Sequence, residues 1–217
     1  MKIFIDTANL SEIRKAKALG LVDGVTTNPT LIAKEGEETE SLIRKIAKEV
    51  KGPVNVEAIG MTSGEIVKEA RVMAVWGEEI VIKIPITPEG LKAVKVLSSE
   101  GIQTNVTLLF SASQAILAAK AGATYICPFI GRLDDISFNG LELIQQIREI
   151  YDNYDEIETR IIVASVRNPI HVIEAARIGA EIVTIPPAII EQMAKHPLTD
   201  KGIAQFLEDA KKIGVKK

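Results

Sequence analysis

Lys83 is the one charged residue inside the apolar run VIKIP at 81–85. A lysine placed there must pair with a carboxylate or lose its charge, because burial penalises the ammonium. A neutral amine attacks carbonyl groups and a charged one makes a structural ion pair, so this run alone leaves both uses open. Other polar residues stand at the ends of similar runs. Asp6 closes KIFID, Thr26 and Asn28 belong to DGVTTNPT, Asn55 and Glu57 to PVNVEA, and Asn105 and Thr107 to IQTNVT. Ser165 ends RIIVAS, Arg167 follows it in SVRNP, and Arg132 lies in PFIGRLDD. Taken singly, Asp6 serves as a helix cap, Thr26 or Asn28 as a turn residue, and Ser165 as a hydrogen-bonded filler. Together they offer a nucleophilic amine, a proton shuttle and hydrogen bonds for hydroxyl groups. Schiff-base chemistry on a polyhydroxylated carbonyl compound requires that set.

Arg167 precedes a helix start marked by Asn168 and Pro169. Backbone N–H groups and the dipole at such a start favour an anion, and arginine grips phosphate with two parallel hydrogen bonds. Arg132 is either a second clamp or the ion-pair partner of Asp134 or Asp135. Other chemistries lack their residues. The two histidines, His171 and His196, fall outside the run ends, so no metal cluster and no histidine-based triad is expected. Cys127 has no activating partner in view and reads as a small packing residue. Glu37, Glu38 and Glu40 read as a solvated helix start.

These residues need a scaffold that turns them to one place. Eight short β-branched runs, near 2–6, 21–26, 53–58, 79–84, 102–107, 123–127, 160–165 and 181–185, alternate with eight amphipathic segments. The latter lie near 10–19, 38–50, 63–75, 88–100, 111–121, 139–151, 169–178 and 187–194. Ser111 and Asn168 fit N-caps, Pro88 and Pro169 fit first turns, and Gly20, Gly101, Gly122 and Gly179 fit helix stops. Parallel strands need crossovers and helices supply them, so the expected fold is an α/β (β/α)8 TIM barrel, one domain over 1–217. An open doubly wound sheet is the alternative, but no glycine-rich phosphate loop follows the first run. In a barrel, Ile80, Ile82 and Ile84 face the helices and Val81, Lys83 and Pro85 the axis. Segment 199–217 predicts an extra C-terminal helix with Ile203, Phe206, Leu207 and Ala210 on one face, placed against its own barrel or against a neighbouring subunit.

Composition narrows the classes. With 47% hydrophobic and 25% charged residues and a single cysteine in 217, the chain is neither disordered nor a disulfide scaffold. The net charge of −3 comes with no basic stripe, which argues against nucleic-acid and membrane partners. The first residues reach Asp6 too soon for a signal peptide, and no apolar run approaches the roughly 18 residues of a membrane span, so a soluble cytoplasmic protein is expected.

The motifs DTAN at 6–9, DGVTTNPTL at 23–31, VIKIP at 81–85, NVTLLFS at 105–111 and PFIGR at 128–132 resemble the transaldolase family, in the short-chain branch that also contains fructose-6-phosphate aldolases. The resemblance runs through most of the chain. It implies a cofactor-free, metal-free enzyme in which Lys83 forms a Schiff base with a ketose phosphate, Glu57 and Thr107 hold the water that moves protons, and Asp6 is the base for carbon–carbon cleavage. Asn28 and Asn105 then resemble binders of the dihydroxyacetone hydroxyls, and Ser165, Arg132 and Arg167 match phosphate-binding positions. Thr26 is matched without a defined role. Aldolase members carry tyrosine where this chain has Phe129 and glutamine where it has Glu57, so the resemblance favours transaldolase of the non-oxidative pentose phosphate pathway. A deoxyribose-phosphate type aldolase or an inactive sugar-phosphate-binding barrel are the other classes. The resemblance also implies a homo-oligomer, a ring-based decamer in which the C-terminal helix contacts a neighbour.

Overall fold

The computed structural model describes residues 1–213. Its strands are β1 (Lys2–Asp6), β2 (Gly24–Thr26), β3 (Val54–Glu57), β4 (Ile80–Pro85), β5 (Thr104–Leu109), β6 (Tyr125–Pro128), β7 (Arg160–Val163) and β8 (Ile182–Ile185). They pair in chain order, all parallel, and β8 closes onto β1. The expected (β/α)8 barrel is the fold that forms. Its helices are α1 (Leu10–Ala18), α2 (Pro29–Glu35), α3 (Thr39–Glu49), α4 (Ser63–Met73), α5 (Pro88–Ser99), α6 (Ala112–Ala121), α7 (Ile130–Asp134), α8 (Gly140–Tyr151), α9 (Pro169–Ile178), α10 (Pro187–Ala194) and α11 (Pro197–Lys212). The periodicity does not resolve α2 and α7. With 7 and 5 residues, neither repeats an apolar face often enough to show one.

Local chemistry fixes the helix ends. Ser111 and Asn168 accept from the Gln114 and His171 N–H groups, and the glycines following α6 and α9 adopt φ of 91° and 92°. Asp6 does not cap α1; Asn9 does, accepting from Glu12 N. Glu38 caps α3, in line with a solvated helix start.

Alternation then divides each strand between two cores. Ile80, Ile82 and Ile84 join the layer between sheet and helices, while Phe4, Val81, Tyr125, Cys127, Ile162, Ala164 and Ile182 pack inside the barrel. Gly24 makes room for the Phe4 ring there, since an added Cβ would lie 2.6 Å from Phe4 Cε1. Above this plug the inward residues turn polar.

Two left-handed residues break the alternation. Leu108, at φ 56°, forms a bulge in β5, so Thr107 stays inward while Leu109 turns out into the helix layer. Ser165, at φ 61°, follows a β7 that stops at Val163, two residues before its expected end. Ala164 already faces the axis, so simple alternation would turn Ser165 away; the left-handed turn instead brings it to the mouth.

The C-terminal helix forms, over Pro197–Lys212, but not against its own barrel: none of its residues is buried. Residues 214–217 of the expected segment lie outside the described residues. No helix among the described residues is long and apolar enough to cross a membrane.

Candidate active site

Register sets the first group of residues side by side. Glu57 on β3 pairs with Lys83 on β4, and Lys83 with Asn105 on β5. In-register parallel neighbours lie about 4.8 Å apart, so a carboxylate, an amine and an amide meet at one level of the barrel. Lys83 is 3% exposed. Its Nζ lies 3.1 Å from Glu57 Oε2 and donates to the Thr27 carbonyl at 2.9 Å. Of the two fates open to a buried lysine, the fold provides the carboxylate. Asn105 Nδ2 donates to Asn55 Oδ1 at 2.8 Å, and Asn55 Nδ2 donates to the Val25 carbonyl. Asn105 Oδ1 and Thr107 Oγ1 are buried with no protein partner. Such atoms are costly unless a water or a bound hydroxyl satisfies them.

Lys83 also forms part of the wall of a cleft of about 250 Å³ at the C-terminal ends of the strands. Asp6, Thr26, Asn28, Phe129, Arg132, Ser165 and Arg167 line it too. Glu57, Asn105 and Thr107 adjoin Lys83 but are not on that wall. Two larger hollows, near 1020 and 1010 Å³, open at the other end of the barrel, around Thr124 and Arg160 and around Lys2 and Gly52. They contain none of the residues collected above.

Asp6 accepts from Thr26 Oγ1 at 2.9 Å, and its pKa is raised, by burial first, against lowering by Thr26 and by the Lys83 charge. A carboxyl held above its ordinary range is suited to pick up and return a proton. Asn28 both lines the cleft and caps α2, accepting from Leu31 N at 3.0 Å. Burial pushes the Cys127 thiol up to about 12, which keeps it protonated and agrees with a packing role.

At the rim, α7 and the turn after β7 hold the two arginines. Arg132 has its guanidinium 4.9 Å from the centre of the Phe129 ring, which meets Phe110 edge-on at 6.0 Å. It pairs with neither nearby aspartate. Asp134 accepts from Gly140 N and faces His171 Nε2 at 3.3 Å, whereas Asp135 takes Arg167 Nη2 at 2.9 Å. The start of α9 offers fewer amides to an anion than its sequence implied. Pro169 has no N–H, Asn168 occupies that of His171, and His171 Nδ1 accepts from Arg167 N. Attraction for an anion therefore rests chiefly on the guanidinium groups.

Sequence reasoning missed Thr184. It lines the same cleft, is 2% exposed and lies 2.6 Å from Thr26, Oγ1 to Oγ1. The alternation Ile182, Thr184 along β8 carried the signal. Among the described residues, no group of histidine, cysteine and carboxylate side chains could hold a metal ion.

Residues 3–217 match the family model described as Transaldolase/Fructose-6-phosphate aldolase. Over 216 residues, all of both chains, the protein is 57% identical to a probable transaldolase of Thermoanaerobacter sp. (strain X514). It is 56% identical over 213 residues to a probable transaldolase of Myxococcus xanthus (strain DK1622), covering 98% of this chain and 96% of that one. Among solved structures, a thiamine phosphate pyrophosphorylase from Pyrococcus furiosus superposes with a TM-score of 0.58 over 85% of each chain, at 17% identity, a likeness of fold alone. Motifs, barrel and relatives thus agree, and the chain belongs to the transaldolase/fructose-6-phosphate aldolase family.

Proposed function

We propose that the chain is a transaldolase. It transfers a dihydroxyacetone unit from a ketose phosphate, fructose 6-phosphate or sedoheptulose 7-phosphate, to an aldose phosphate, erythrose 4-phosphate or glyceraldehyde 3-phosphate. The observation that carries this reading is the buried Lys83 amine, 3.1 Å from Glu57 and on the wall of a cleft shared with Asp6 and two arginines.

Lys83 Nζ gives a proton to Glu57 and adds to the ketone carbon. The carbinolamine hydroxyl then leaves as water, taking its proton from Glu57 through a water held with Thr107; the partnerless Thr107 Oγ1 supports that position. Asp6 removes the C4 hydroxyl proton, the C3–C4 bond breaks, and its electron pair moves into the cationic imine to give an enamine on Lys83. The aldose phosphate leaves. The enamine adds to the acceptor aldehyde, Asp6 returns the proton to the new hydroxyl, and hydrolysis frees Lys83. Asn28 and Asn105 bind the dihydroxyacetone hydroxyls, and Arg132, Arg167 and Ser165 bind the phosphate.

Phe129 supports transfer over release, since its ring has no hydroxyl with which to help protonate the enamine. Fructose-6-phosphate aldolase is the second reading, because the matching family description names both activities. The setting we propose is a cytoplasmic homo-oligomer, a decamer, in the non-oxidative pentose phosphate pathway, with sugar phosphates as its partners. The test is borohydride reduction in the presence of fructose 6-phosphate, with peptide mapping. A three-carbon adduct on Lys83 is expected, and an unmodified Lys83 overturns the mechanism. Release of free dihydroxyacetone without an acceptor aldehyde would favour the aldolase.

A further inference from the structure

Asp6 is served by a chain of two hydroxyls rather than by one. Thr26 on β2 stands beside Asp6 in register, and Thr184 on β8 lies beside Phe4, so the two threonines meet across β1. Thr26 Oγ1 donates to Asp6 Oδ1 at 2.9 Å, and Thr26 and Thr184 Oγ1 are 2.6 Å apart. A threonine hydroxyl has one proton. With that of Thr26 directed to the carboxylate, the short contact to Thr184 needs the Thr184 proton.

We propose that Thr184 is a positioning residue for Asp6: it donates to Thr26, commits the Thr26 proton to the Asp6 carboxylate, and so holds that carboxylate aimed and ionised for proton abstraction. This rests on the reading of Asp6 as the base. Both hydroxyls are buried, at 2% exposure, where water does not compete and linked hydrogen bonds polarise one another. The chain has a direction. It supports the ionised carboxylate more than the acid: with Asp6 protonated the chain can reverse, Asp6 to Thr26 to Thr184, but its bonds are then all between neutral groups, whereas a bond to a carboxylate is roughly twice as strong. Burial raises the Asp6 pKa, and the hydrogen bond from Thr26 is the first influence that opposes it. Other charged or titratable groups near Asp6 come from different elements: Lys83 from β4 with Glu57 of β3 beside it, Cys127 from β6, Arg132 from α7, and Arg167 from the turn after β7. Thr184 makes no hydrogen bond to any of these; its side-chain partner is Thr26.

The test is the pH dependence of kcat/KM for transfer from fructose 6-phosphate to erythrose 4-phosphate. Thr184→Val keeps the branched shape on β8 and removes the donor. Its acid limb is expected about half a pH unit above that of the wild type, whereas Thr184→Ser should keep the wild-type limb. Because Thr184 acts through Thr26, Thr26→Val combined with Thr184→Val should match Thr26→Val alone. An unmoved limb in Thr184→Val, an equal shift in Thr184→Ser, or additive shifts in the double variant would each overturn the proposal, and a change confined to Tm assigns Thr184 to structure only. Borohydride trapping separates the two levels. A Lys83 adduct in wild type and Thr184→Val with no limb shift removes only the role of Thr184, while no adduct in wild type removes the mechanism on which that role rests.

Discussion

The carboxylate of Asp6 is kept at a cost. Its folded pKa is raised, chiefly by burial, so ionising it opposes folding. That cost is absent below the pKa of an unfolded aspartate, grows up to the raised folded value, and is complete above it. Asp6→Asn is therefore expected to raise Tm at neutral pH, with a gain that shrinks as the pH falls through the carboxylate range, while transfer falls at least about a hundredfold. Thermal unfolding from pH 3 to 8 checks the first and a coupled assay the second. At the rim, Asp135 occupies Arg167, which the proposed function assigns to substrate phosphate, and both side chains are more than half exposed, 54% and 61%. An exposed pair is worth about 0–1 kcal/mol, so Asp135→Asn should lower KM for fructose 6-phosphate by up to about fivefold at low salt and leave unphosphorylated donors unchanged. At about 1 M salt the advantage should vanish.

The helix α7 brings Arg132 to the cleft only because its second residue is small. Gly131 N donates to the Ser165 carbonyl at 3.1 Å, and a Cβ on Gly131 would lie 2.1 Å from that oxygen and 2.6 Å from Arg167 Nε. The exposed Arg167 side chain can move aside at small cost, but the backbone oxygen cannot. Gly131→Ala is expected to destabilise the fold by about 1–3 kcal/mol and to raise KM for phosphorylated substrates more than it lowers kcat. Urea unfolding and steady-state kinetics on two donors, one without phosphate, would separate the two effects. Leu108 is the other structural concession near the site. A left-handed leucine costs roughly 1–2 kcal/mol, and the bulge it makes is what lets Thr107 stay inward while Leu109 closes the outer core.

Beyond the barrel, α11 stands apart. Ile203, Phe206 and Leu207 are 53%, 75% and 47% exposed on it. Burying an aromatic or aliphatic side chain contributes about 1.5–3 kcal/mol, so these three form a strong association surface if a second copy covers them. Phe206→Glu is expected to reduce the mass in solution, read by light scattering, while leaving the circular dichroism of the barrel intact. An unchanged mass in that variant would show that α11 makes no contact between copies.

How much of this was legible beforehand can be traced residue by residue. Local chemistry was enough for the caps at Ser111 and Asn168, the helix-stopping glycines and the inward parity of Lys83, because caps and alternation depend only on neighbours in the chain. The same parity contained Thr184, though its meaning did not show until β8 closed onto β1 and brought it within reach of Thr26. Pairing was beyond sequence in the same way. That Glu57 rather than another acid meets Lys83, and that Asp135 pairs with Arg167 rather than with Arg132, follows from register and from the turn after β7. The bulge at Leu108 and the turn at Ser165 reset the alternation without any local signature, since their strain is held by the surrounding closure of the barrel. The sequence by itself determined the barrel, the amine and the family resemblance, all properties of periodic and local order. Tertiary structure alone decided who partners whom, because those contacts join residues 20 to 158 positions apart and form only when the sheet closes on itself.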